Sequence, residues 1–68
     1  MTNINSPLYK YKINGMIEGK RTSRIIKLNY HLHIDFLIEK AFKELEFEYV
    51  TSVDEYSNIY NEWFHHKV

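Results

Sequence analysis

A chain of 68 residues with no cysteine and a formal net charge of zero has room for one small domain, and it excludes a disulfide framework, thiolate chemistry and cysteine-ligated zinc. Its composition, 44% hydrophobic and 16% aromatic, is too apolar for a disordered chain, yet no apolar run approaches the roughly 20 residues needed to span a bilayer. Neutrality hides a division along the chain: residues 1–33 hold six Lys or Arg against Glu18 alone, a balance of +5, and residues 34–68 hold three Lys against eight Asp or Glu, a balance of −5. Such separation orients a partner during encounter and bears on association more than on fold.

Met1 to Pro7 is polar and turn-prone and is expected to be a flexible N-terminus, with residues 8–68 forming the domain. This segment has neither the basic region nor the apolar stretch of a secretory signal, so a cytoplasmic protein is the expectation. From Leu8 to Ile17, Tyr9, Tyr11, Ile13 and Ile17 recur at even spacing opposite Lys10, Lys12 and Asn14, which predicts a strand. Asn14-Gly15 resembles a hairpin turn, but MIEGKR makes a poor return strand, so the turn is expected at Glu18 to Arg21. Gly15 is then a bulge or a point of close packing.

The return strand, TSRIIKLNYHL, sets Ile26, Leu28, Tyr30 and Leu32 on one face and Ile25, Lys27, Asn29 and His31 on the other. Continued through His33, it projects His31 and His33 from the polar face beside Lys10, Lys12 and Lys27. Ile34 to Glu46 carries Ile34, Leu37, Ile38, Ala41 and Leu45 at helical intervals, with Asp35 placed to suit the dipole of the first turn. Phe36 lies off that stripe and needs a separate cover. FEYVTSV, Phe47 to Val53, returns to strand character, with Phe47, Tyr49, Thr51 and Val53 alternating onto one face. Asp54 is then read as the cap of a last helix, in which Tyr56, Ile59, Tyr60, Trp63 and Phe64 form one aromatic stripe.

The expected fold is therefore α+β, a single β-β-α-β-α domain. One amphipathic helix packs on a three-stranded sheet, and a C-terminal aromatic helix covers what remains. The hairpin-helix-strand order, together with EFEYVTSVDEY at Glu46 to Tyr56, resembles the small epsilon subunit associated with RNA polymerase in Gram-positive bacteria, a layout shared by tiny phage inhibitors of that enzyme. The resemblance is one of layout, and it implies a protein that docks on a large enzyme.

Neither a metal nor a cofactor is expected. His31 and His33 are two apart on a strand, and Glu62 with His65 or His66 could complete a shell, but no spacing is diagnostic of ligands. His65, His66 and Lys67 suit the dipole of a helix C-terminus. Phosphate loops, nucleophile elbows and zincin motifs are absent, and Glu44, Glu46 and Glu48 read as a solvated edge, so no enzyme is expected.

Two surfaces remain. Phe36, Glu44, Glu48, Glu55, Tyr60, Trp63 and Phe64 would form an acidic, aromatic contact with a host protein or protein complex, making the chain an interaction module that modulates, and most simply inhibits, a macromolecular machine such as a polymerase or nuclease. Lys10, Lys12, Lys20, Arg21, Arg24, Lys27, His31 and His33 would make the hairpin a nucleic-acid-binding ribbon. A homodimer in which an uncovered strand edge and the amphipathic terminal helix pair across a two-fold axis is a third outcome, and no membrane partner is expected. Ile, Lys, Asn and Tyr supply 27 residues while Ala, Gly, Pro and Arg supply six. That skew fits an AT-rich genome, such as that of a low-GC bacterium or of a phage or mobile element resident in one.

Overall fold

The computed structural model describes residues 9–68, so the N-terminal segment expected to be flexible lies outside the described residues. Strand β1 (Tyr9–Ile17) and strand β2 (Lys20–Leu28) form a hairpin, followed by helix α1 (Ile34–Glu44), strand β3 (Tyr49–Ser57) and strand β4 (Glu62–Lys67). They make one antiparallel four-stranded sheet in the order β2-β1-β3-β4. The expected three strands and two helices are thus corrected to four strands and one helix within an α+β domain.

Alternation in β1 sends Tyr11 and Ile13 into the core, 1% and 0% exposed, and turns Lys10, Lys12 and Asn14 to the other side. The hairpin turn is tighter than expected. Glu18 and Gly19 alone make it, at φ 51° and 75°, the paired left-handed geometry of a type I′ connection whose twist matches the flanking strands. Of its two expected roles, Gly15 takes that of close packing; it lies beside a bulge on the neighbouring strand and is not itself the bulged residue. The β1–β3 register shifts between Asn14 and Gly15, and a side chain at Gly15 would collide with the backbone oxygen of Tyr49 and come within 3.0 Å of Phe47 Cδ2.

That shift also corrects the expected alternation of β3. Asn14 faces Ser52 and Gly15 faces Val50, which leaves Thr51 as the extra residue of a bulge. Thr51 Oγ1 donates to the Asn14 carbonyl at 3.1 Å. Two consecutive inward positions therefore become Val50 and Val53, and Thr51 is exposed instead of buried.

Strand β2 ends at Leu28, so it does not run on through His33 as expected. His33 is the N-cap of α1: its Nδ1 accepts from the Asp35 N–H at 3.2 Å, and its carbonyl accepts from Phe36 and Leu37 at 2.9 and 3.0 Å. Leu37 and Ala41 seat the helix on the sheet above Ile13 and Val53, with Phe47 and Val50 closing the core. At its end, Glu46 adopts φ 63° and turns the chain so that the Phe47 N–H returns to the Ala41 carbonyl at 3.0 Å.

The terminal helix is replaced by a turn and a strand. Residues 58–61 form the turn, with the Ser57 hydroxyl accepting from the Tyr60 N–H at 3.2 Å and Asn61 at φ 55°, a conformation that asparagine tolerates better than most residues. Asp54 is not a cap but a mid-strand residue of β3. Among the described residues, no helix is long and apolar enough to cross a membrane.

Candidate nucleic-acid interface

In an antiparallel sheet, residues directly opposite each other share a face. The helix covers the side that holds Tyr11, Ile13 and Val53. On the other, uncovered side, the register aligns Lys27, Lys10, Tyr56 and Trp63 in one row across the four strands, and Ile25, Lys12, Asp54 and His65 in the next. A third row runs Ser23, Asn14, Ser52, Lys67, and beyond the bulge come Arg21, Met16 and Tyr49.

This sorting redistributes the charge. The open face carries Lys10, Lys12, Arg21, Lys27 and Lys67 against Asp54, five cations to one carboxylate and a net of +4. The rest of the molecule holds Lys20, Arg24, Lys40 and Lys43 against the other eight acids, a net of −4. This partition, between the open face and the rest of the molecule, does not follow the two halves of the sequence: Lys67 of the acidic half joins the open face, whereas Lys20 and Arg24 of the basic half lie on the other side of β2.

Asp54 is itself engaged. Its Oδ2 accepts from Asn14 Nδ2 at 3.2 Å, and its Oδ1 lies 2.7 Å from His65 Nδ1, which must supply the proton because a carboxylate only accepts. Asn14 also donates to Ser52 Oγ at 3.0 Å and accepts from Ser23 Oγ at 2.7 Å. One polar chain thus ties together all four strands and fixes the floor of the face. Above it, Lys10 Nζ sits 4.9 Å from the centre of the Tyr56 ring, and Tyr56 meets Trp63 edge to face at 5.2 Å. Trp63 remains 40% exposed and Tyr49, at the far end, 52%. A shallow concavity of about 530 Å³ beside Tyr49 is lined by Asn14, Met16, Arg21 and Ser23, among others.

Of the residues expected to bind nucleic acid, the fold brings Lys10, Lys12, Arg21 and Lys27 together on the open face. Lys20 and Arg24 alternate to the other side of β2. His31 and His33 are corrected as well, because both leave the polar face with the end of β2. His31 packs edge-on against Tyr9 at 5.5 Å, with Nε2 3.7 Å from Glu55 Oε2 on the helix-bearing side. His66 approaches the same carboxylate at 3.6 Å from β4. Among the described residues, no three His, Asp or Glu side chains are placed to hold a metal ion.

The seven residues expected to form a protein contact are spread over several surfaces. Phe36 stands on the outer side of α1, 58% exposed. Glu44 accepts from Lys40 Nζ at 2.8 Å, and Glu48 accepts from the Gly19 N–H at 3.1 Å beside the hairpin turn. Glu55 lies between His31 and His66. Tyr60 occupies the β3–β4 turn, while Trp63 and Phe64 point to opposite sides of β4.

Sequence reasoning missed Tyr49, Tyr56, His65 and Lys67 as members of the open face. The signal was the alternation of Trp63, His65 and Lys67, readable only once EWFHHK is taken as a strand. No family model matches the chain, and neither a curated protein nor a solved structure matches it.

Proposed function

We propose that the protein binds single-stranded nucleic acid across the open face of its sheet. The observation that carries this reading is the sorting of charge and rings: five cations and one engaged carboxylate share a surface with Tyr49, Tyr56 and Trp63. Cations neutralise phosphates and release counterions, while the exposed Tyr49 and Trp63 rings stack on bases of any sequence and half-buried Tyr56, beneath Lys10, backs Trp63. Tyr49 and Tyr56 are seven residues apart on β3, roughly 20 Å along a strand, enough for a short single-stranded tract to run between the aromatic stations.

Duplex is the poorer fit. Four adjacent strands are about 14 Å wide before side chains are added, more than the roughly 12 Å of a major groove that admits a two-stranded ribbon. A single strand has no such limit.

The test is fluorescence anisotropy with labelled single-stranded oligonucleotides at low salt, comparing wild type with Lys12→Glu/Lys27→Glu on the open face and Lys40→Glu/Lys43→Glu on the helix. The open-face pair should lose at least tenfold in affinity and the helix pair little. Equal loss from both pairs, or no binding by wild type, would remove the reading.

A further inference from the structure

The two edges of the sheet are treated differently by the sequence. Edge strand β2 carries Lys20, Arg21, Arg24 and Lys27 within nine residues, a density of charge that discourages pairing with another chain. Edge strand β4, EWFHHK, has charged residues only at its two ends, Glu62 and Lys67, no proline and no bulge, and all six residues are exposed. Its own Phe64 and, in the turn before it, Ile59 and Tyr60 are 42%, 85% and 68% exposed, with the Tyr60 and Phe64 rings in edge contact at 6.0 Å.

The backbone of β4 is set for a partner. The Val68 N–H donates to the Thr51 carbonyl at 3.1 Å. Alternation along an antiparallel ladder then turns the backbone groups of Glu62, Phe64 and His66 inward to β3 and leaves those of Trp63, His65 and Lys67 pointing outward. We infer that a second copy of this chain pairs there, β4 to β4 and antiparallel, about a two-fold axis normal to the sheet at Phe64.

The strand is its own complement in that register. Glu62 falls opposite His66 of the second copy, Trp63 opposite His65, and Phe64 opposite Phe64, a non-hydrogen-bonded position where side chains approach most closely. Trp63 and His65 of each copy exchange backbone hydrogen bonds with His65 and Trp63 of the other. The axis keeps both helices on one side and joins the two open faces into one eight-stranded surface. The lysine- and arginine-rich β2 strands become the outer edges, so the assembly closes as a dimer and does not extend into a fibre. The inference is independent of nucleic-acid binding, and its tests use protein alone.

Sedimentation velocity on the full chain from about 1 μM to 1 mM, the affinity range of small interfaces, should show the mass rising reversibly towards twice the monomer. Because the chain has no cysteine, Phe64→Cys supplies a single thiol on the axis, at a separation close to disulfide geometry. Mild oxidation should convert most of it to a covalent dimer, while Ile25→Cys on the β2 edge stays monomeric under the same conditions. A monomer at 1 mM would overturn the inference, leaving the edge to a different partner, and so would equal cross-linking at the two positions. The wild-type sedimentation stands even if the cysteine variant folds poorly.

Discussion

Replacing Gly15 with alanine adds one methyl group at the point where β1 and β3 come closest. The added carbon would sit deep inside the contact radius of the Tyr49 carbonyl oxygen, with the Tyr49 carbonyl carbon and Phe47 Cδ2 both at 3.0 Å. The obstruction is mainly backbone, so no rotamer change relieves it, and the strands must part by about 1 Å to restore van der Waals separation. That movement reaches Ile13 and Val53, which are paired at the centre of the sheet and almost fully buried. Overpacking of this kind costs about 3 kcal/mol, a large share of the roughly 3 to 10 kcal/mol available to a chain of this length. The melting temperature should fall by roughly 12 to 24 °C. Gly19→Ala is the matched control: its φ of 75° strains any side chain, but nothing lies within 4 Å of the added carbon, so about 1 kcal/mol is expected. Urea unfolding followed by Trp63 fluorescence and far-UV circular dichroism measures both. A Gly15→Ala protein within about 0.5 kcal/mol of wild type, or more stable than Gly19→Ala, would refute the close-packing argument.

Glu18→Asn should raise stability by about 0.5 to 1 kcal/mol, because Glu18 holds φ 51° at the first position of a turn that favours Asn-Gly; urea midpoints check it, and unchanged or lower stability would count against the turn. Tyr11→Phe should cost about 1 kcal/mol at neutral pH, since the Tyr11 hydroxyl accepts from the Leu32 N–H at 3.1 Å. Burial raises the Tyr11 pKa above its ordinary 10.0. The folded state therefore holds that proton more tightly than the unfolded one, and the associated stability is complete below pH 10.0 and declines as pH rises through the folded-state value. The phenylalanine variant should show a shallower alkaline decline, read from melts across that range. Trp63→Ala should weaken oligonucleotide binding by about 1 to 3 kcal/mol if a base stacks there, and in wild type the fluorescence of this single tryptophan should quench on binding.

Much of the first half of the fold is readable by alternation and helical spacing alone. Tyr11 and Ile13 point inward, Lys10 and Lys12 outward, and Gly15 marks an irregularity, because β1 is a central strand with one face on the core. The face of α1 follows from Leu37 and Ala41. The C-terminal third misleads because Tyr56, Ile59, Tyr60, Trp63 and Phe64 satisfy a helical spacing while spanning a strand, a turn and another strand. What decides against the helix is local turn chemistry at Ser57 and Asn61, together with the preference of large rings for a pleated surface. The Thr51 bulge is less legible still, since it depends on the lack of room between Gly15 and Tyr49, residues 34 positions apart in sequence. The candidate interface was half visible for the same reason. Its hairpin lysines follow from β1 and β2, whereas Tyr56, Trp63, His65 and Lys67 require the corrected β3 and β4.

The central claim is that the five open-face cations meet phosphates. The most direct measurement is the affinity of the wild-type protein for a single-stranded oligonucleotide as a function of salt concentration. Engagement of three to five of the cations Lys10, Lys12, Arg21, Lys27 and Lys67 predicts that log K falls against log salt with a slope of roughly −2 to −3.5. A slope near zero, or no detectable binding at about 50 mM salt, would contradict the account.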